Sequence, residues 1–174
     1  LQRTSTSLDR TIQALELQIQ TFWKDDDVSS LLVAPEKPDF QDLGGSRQIQ
    51  GLREGNELIE RCWLYLYQSG QILTDRQLLL EAGDPERPGQ LERWSAAAES
   101  GTPSLWCEDG KIYLLVAFPQ PKKLGLLIVQ LSARDLFEQF QELGGLSGDP
   151  VYVYDGAGEP VFPNRMTTER EELM

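Results

Sequence analysis

A chain of 174 residues with a 40% hydrophobic share has room for one domain with a real core, or for one domain and part of another. Its formal net charge of −12 excludes a nucleic-acid or anionic-membrane face, because such faces are built from Lys and Arg that neutralise phosphates. It has no His, which removes serine-type triads and His-containing zinc sites, and its two Cys cannot make a zinc site unaided.

No apolar run approaches the roughly 18 residues of a membrane span, and no signal peptide is visible. The chain begins at Leu1 and reads as an excised piece. Gly44-Gly45, Gly144-Gly145, Gly156 and Gly158 lack the strand-to-helix context and the Lys-Ser/Thr of a phosphate loop. Glu108-Asp109 and Asp25-Asp26-Asp27 read as solvated charge rather than acid/base pairs. No metal, no cofactor and no enzymatic activity are expected.

In chain order, Leu8, Ile12, Leu15, Ile19 and Phe22 recur at heptad-like spacing, which predicts a helix of about four turns capped by Ser7, with Glu16 and Gln18 facing away. It lies either on its own domain or against a second copy. Trp23 broadens the stripe, Asp25 to Asp27 close the helix, and Pro35 and Pro38 bracket a loop after the apolar stretch from Val28 to Val33. Ile49, Leu52, Leu58 and Ile59 predict a second helix over residues 46–60, weakened by Gly51 and Gly55.

Cys62 to Tyr67 reads as a strand, turned by Gln68-Ser69-Gly70 into a second one at residues 71–74. A short helix is expected at Leu78 to Leu80, an exposed loop at residues 84–89, and a small helix through Leu91, Trp94 and Ala98 that Gly101 and Pro103 stop. A third strand at residues 104–108 enters a two-residue Asp109-Gly110 turn.

The chain is organised around residues 111–140. Ile112 to Phe118 and Leu124 to Leu131 are aliphatic runs too short for solitary helices, joined by the polar connection from Pro119 to Lys123. Neither alternates cleanly with polar residues, so this hairpin belongs at the middle of a sheet with both faces covered. Ser132 then caps a helix carrying Leu136, Phe137, Phe140 and Leu143.

The resulting fold class is α+β, a five-stranded antiparallel sheet with a long N-terminal helix and helices on the sheet faces. This order resembles the PAS-like fold of Cache sensor modules over about residues 5 to 162, carried by LYLYQSGQILTD at 64–75, LERWSAAAE at 91–99 and LGLLIVQLSARDLFEQF at 124–140. DPVYVYDGAGEPVF at 149–162 looks like the opening hairpin of the second module of double Cache domains. On that resemblance residues 1–146 form the membrane-distal module and residues 147–174 start a truncated second one.

What the resemblance implies is a ligand-sensing extracellular domain of a bacterial transmembrane receptor: a histidine kinase, a chemoreceptor, a diguanylate cyclase or a membrane-bound transcription regulator. The partners implied are an unknown small-molecule ligand, a membrane reached only through flanking segments, and a second copy paired through the N-terminal helix. An intracellular PAS or GAF-like regulatory domain is the alternative, distinguished by the flanking sequence.

The family's ligand lies between the sheet and the helical crossover after the second strand, which here points to Trp94, with Arg93, aromatic walls from Tyr65, Tyr67, Trp106 and Tyr113, and Asp109 at the rim. The competing reading has Trp94 plugging the core. Amino-acid-binding members carry Arg three positions before this Trp and Tyr straight after it, whereas this chain has Leu91 and Ser95. The PAS-like strand order also separates the strands holding Cys62 and Cys107, which implies free, mainly buried thiols.

Overall fold

The computed structural model describes residues 2–33, 44–76, 79–81, 89–98, 103–108, 110–118, 124–136, 138, 153–154 and 160–162. Helices α1 (Gln2–Trp23), α2 (Asp26–Val33) and α3 (Gly44–Glu54) precede strands β1 (Ile59–Leu66), β2 (Gln71–Thr74) and β3 (Leu79–Glu81). Helix α4 (Gln90–Ala97) then leads to β4 (Ser104–Glu108), β5 (Lys111–Phe118) and β6 (Gly125–Leu131), and a separate hairpin is made by β7 (Val153–Tyr154) and β8 (Pro160–Phe162).

The sheet runs β3-β2-β1-β6-β5-β4, and every pair in it is antiparallel. Its five longer strands have the order expected of a PAS-like fold. β5 and β6 lie inside the sheet and are buried along almost their whole length, as their aliphatic runs require. Glu108 and Lys111 are paired across the β4–β5 turn, so two residues make that turn, and Gly110 occupies it at φ 69°, where a side chain would be strained.

The main core lies on one face. Leu64 and Leu66 of β1, Leu114 and Val116 of β5, and Leu127 and Val129 of β6 meet Leu15, Ile19, Phe22, Val28, Leu32 and Ile49 from α1, α2 and α3. Trp23 stacks on Phe118 with ring centres 4.6 Å apart and planes at 3°, fastening the end of α1 to the end of β5.

Several boundaries differ from the sequence reading. α1 starts at Gln2, so Ser7 lies inside it rather than capping it. Leu15, Ile19 and Phe22 are consumed by the chain's own core, which withdraws that half of the heptad seam from any pairing with a second copy. Asp25 does not close a helix but opens one: its Oδ1 accepts the N–H groups of Asp27 at 3.0 Å and Val28 at 3.4 Å, an N-cap for α2.

α3 ends at Glu54, and Leu58 and Ile59 leave the helical pattern. Asn56 makes the break, since its Oδ1 accepts the Leu58 N–H at 3.0 Å and its carbonyl accepts that of Ile59 at 3.0 Å. Residues 79–81 pair with β2 instead of forming a helix, because β2 otherwise presents an open edge. Ser132 caps residues 133–136, its Oγ accepting the Asp135 N–H at 3.2 Å, whereas Phe137, Phe140 and Leu143 lie outside the described residues, as do Pro35 and Pro38.

Neither cysteine is in a disulfide: Cys62 is buried, Cys107 is half-buried, and β6 and β5 stand between their strands. Burial raises the Cys62 thiol far above its ordinary value, and the negative charge of Asp75 adds to the shift. Under native conditions a water-soluble thiol reagent should therefore label Cys107 at least about tenfold faster than Cys62, read by mass spectrometry of the labelled peptides. Truncating the fully buried Leu127 to Ala should cost about 2–5 kcal/mol in chemical unfolding, against less than about 0.5 kcal/mol for the exposed Leu17→Ala.

Candidate functional site

Strand periodicity gives the sheet a second, chemically different face. Trp63 and Tyr65 of β1, Trp106 of β4, Tyr113, Leu115 and Ala117 of β5, and Leu126 and Ile128 of β6 all point away from the main core. They form a second cluster with Tyr67, Leu91, Trp94, Ala97 and Ala98. The aliphatic side chains of the sheet are buried here, but Trp63, Tyr65, Tyr67 and Trp106 are only partly so, as are Leu91, Trp94 and Ala97 of the helix.

One short helix lies over this face. α4 begins after Gly89, whose φ of 77° lets the chain turn sharply into the helix, and ends where the Ala98 N–H donates to the Trp94 carbonyl at 3.0 Å. Besides the packing of Leu91, Ala97 and Ala98, three contacts hold it. The Trp94 ring lies 5.1 Å from that of Tyr113 at 48°, and the Tyr67 hydroxyl bonds the Ser95 Oγ at 3.0 Å. At the β4 edge, Glu108 accepts from Arg93 Nη2 at 2.6 Å and from Gln90 Nε2 at 3.1 Å.

Electrostatics follow from those contacts. Burial alone would raise the Glu108 carboxyl, but hydrogen bonds from Gln90 and Arg93, with the Arg93 charge beside them, outweigh burial and hold it below the usual carboxylate range. The Trp106 indole lies near the same carboxylate without reaching hydrogen-bond geometry. Tyr65 is pushed up, first by burial and then by Tyr67, whose ring packs edge-on at 4.8 Å.

Five side chains expected from the sequence, Tyr65, Tyr67, Trp94, Trp106 and Tyr113, therefore come together on one face. Arg93 stands at the β4 edge with its guanidinium committed to Glu108, so it does not face the aromatic cluster as an open cation. Asp109 lies outside the described residues.

The sequence reading missed Trp63, Arg61, Gln90 and Glu108. Trp63 was legible from its parity with Tyr65 in the same strand, and Arg61, two residues earlier, shares that face and stacks its guanidinium 4.8 Å from the Trp63 ring centre. Glu108 was not legible, since its role depends on α4 lying across β4. Aromatic walls with a few N–H and O–H groups among them are the makeup of a small-molecule binding face.

No protein-family model matches the chain, and no curated protein matches it. Among solved structures it resembles the ligand-binding domain of the Campylobacter jejuni chemoreceptor Tlp3. The form in complex with L-norvaline has a TM-score of 0.60 at 13% identity, and that with 4-methylisoleucine 0.58 at 14%, each over 91% of this chain. The chain spans 64% of the length of those domains. At that identity the likeness is one of fold, a mixed α/β architecture with a PAS-like antiparallel sheet.

A lowered carboxyl contributes stability that is present above its unfolded value, here 4.5, and is lost as pH falls through its lower folded value. Unfolding midpoints followed in urea from about pH 6 to pH 3 should thus fall more steeply below 4.5 for the wild type than for Arg93→Met, in which the carboxylate loses its cation. Equal slopes would mean that Glu108 does not fasten α4.

Proposed function

We propose that this chain is the ligand-sensing extracellular domain of a bacterial transmembrane receptor, and that its ligand lies between α4 and the aromatic face of the sheet. The observation that carries the reading is the makeup of that face: four partly buried aromatic side chains, Trp63, Tyr65, Tyr67 and Trp106, lie under a helix that adds a fifth, Trp94, where a closed core would use aliphatic ones. The resemblance to domains solved with L-norvaline and 4-methylisoleucine supports a small molecule as the ligand.

Placement outside the membrane is part of the same proposal. Among the described residues no helix is long and apolar enough to cross a membrane, so anchoring belongs to flanking segments of about 20 apolar residues. Residues 147–174 are proposed to begin a second, membrane-proximal module. The β7–β8 hairpin, where Val153 pairs with Phe162, supports this, as does the greater length of the similar domains. The receptor's output domain is of the kinase, chemoreceptor, cyclase or transcription-regulator kind.

Thermal-shift screening of small metabolites tests the site. A ligand that binds only the folded state and is present at about 100 times its Kd adds about 2.7 kcal/mol, a rise of several degrees in the midpoint for a chain of this size. Trp94→Ala should abolish the rise for such a ligand while leaving the far-ultraviolet circular dichroism intact. A ligand that stabilises the folded Trp94→Ala variant as strongly as the wild type would move the site elsewhere.

A further inference from the structure

Among the described residues, the orphaned polar atoms on the α4 face are all of one kind. Arg61 Nε, Trp94 Nε1 and Trp106 Nε1 are buried outside hydrogen-bond geometry, and of these only Trp106 has an acceptor of the protein's own beside it, the Glu108 carboxylate. Each is an N–H donor that cannot accept. The remaining orphans lie elsewhere: Trp23 Nε1 in the main core, Gln71 Oε1 on a residue paired with core-facing Leu66, Asp75 Oδ1 beside Arg53, and Ser69 Oγ in the β1–β2 turn. Buried donors left unpaired are costly, so a face that gathers Arg61 Nε and Trp94 Nε1 with no acceptor beside them among the described residues is built for acceptor atoms it does not itself supply.

The strand register gathers them. Arg61, Gln130, Tyr113 and Trp106 are successive cross-strand partners on β1, β6, β5 and β4, a single row across the sheet, and Trp94 stands against Tyr113 in the same row. With about 4.8 Å between neighbouring strands, Arg61 is roughly 10 Å from Tyr113 at the backbone, a span that a small ligand and one Arg side chain can fill. The Arg61 guanidinium is oriented by its stacking on Trp63 and has no carboxylate partner among the described residues. A planar fork held in this way suits a carboxylate.

What the row lacks is equally informative about the ligand. Among the described residues, the carboxylates nearest to it already accept hydrogen bonds: Glu108 from Arg93 and Gln90, and Glu60 from the Gln130 amide, which donates at 2.6 Å. Glu92 on α4 is solvent-exposed. An amino acid would bring an ammonium group, which a free carboxylate would hold best. The apolar neighbours Leu115, Leu126 and Ile128 offer a hydrocarbon surface instead.

We infer that the α4 face takes a monocarboxylate with an apolar body and no ammonium group, its carboxylate held by Arg61 and its body lying against Trp94 and Tyr113. This rests on the reading of that face as the ligand site. Calorimetric titration of the chain with phenylacetate, phenethylamine and phenylalanine, and with hexanoate, hexylamine and norleucine, separates the charge types at constant body. At least one of the two carboxylates should bind wild type at least about tenfold tighter than the amine and the amino acid of its set. Arg61→Met should weaken that carboxylate about 10- to 100-fold, and Arg61→Lys, which keeps the charge but not the fork, should weaken it less.

Neither carboxylate binding, an amine or amino acid binding as tightly as its carboxylate, or an unchanged affinity in both Arg61 variants would overturn the inference. If Arg61→Met does not fold, Arg61→Lys decides: unchanged carboxylate affinity there refutes the fork. A screening compound that is neutral or cationic and needs Trp94 would leave the sensor reading standing while refuting this one.

Discussion

The arrangement depends on burying one hairpin, β5 with β6, on both of its faces. Each strand can meet that requirement only by sending alternate side chains to different layers, and the sequence makes those two layers unlike. One set is aliphatic: Leu114, Val116, Leu127 and Val129 close against three helices. The other set is mixed, with Tyr113 beside Leu115, Leu126 and Ile128, and it is bordered by aromatics from β1 and β4. Stability is concentrated in the first layer, because it holds most of the fully buried side chains and excludes polar groups most completely. The second layer is thereby released to carry partly exposed rings and unsatisfied donors, a cost that the first layer must offset.

This division also explains the modest cover on the α4 side. A helix of eight residues is far below the length that is stable alone, so α4 persists only through its contacts. Besides the packing of Leu91, Ala97 and Ala98 on the cluster, these are the Trp94–Tyr113 ring contact, the Tyr67–Ser95 hydrogen bond and the Glu108 cluster. None of the three is a large aliphatic interface of the kind that fixes α1 to the sheet. Elements held by few such contacts open at low free energy, which is the property a binding face needs if a ligand is to enter beneath a helix.

How much of this was legible in the sequence depends on the range of the interactions involved. The central hairpin, the aromatic strand and the Ser132 cap are set by local pattern and could be read directly. Boundaries were harder where local and tertiary effects compete. Leu58 and Ile59 continue the helical spacing of Ile49 and Leu52, yet Asn56 breaks the helix with its own side chain and β6 recruits Ile59 as a strand partner. Residues 79–81 carry the leucines of a helix but are claimed by the open edge of β2. Within the site, the aromatic members were legible because CWLYLY is a strand whichever face it presents. Glu108 and Gln90 were not, because their pairing joins residues 18 positions apart across two elements. Arg61 shows no local anomaly at all. Its significance appears only when the row it shares with Tyr113 and Trp106 is found to hold donors without acceptors.

The same strand joins the two layers. β5 carries Tyr113, in contact with Trp94, and five residues later Phe118, stacked on Trp23 at the end of α1. An odd separation puts these side chains on opposite faces, so β5 touches the binding face with one end and the long helix with the other. Burial on both faces leaves β5 little freedom to bend, since close-packed interiors yield by shifting whole elements rather than by deforming them continuously. A displacement of α4 that moved Tyr113 would therefore reach Trp23 as a shift of the strand. α1 would respond as a unit, because the lower part of its apolar stripe, Leu15, Ile19 and Phe22, is locked into the same core.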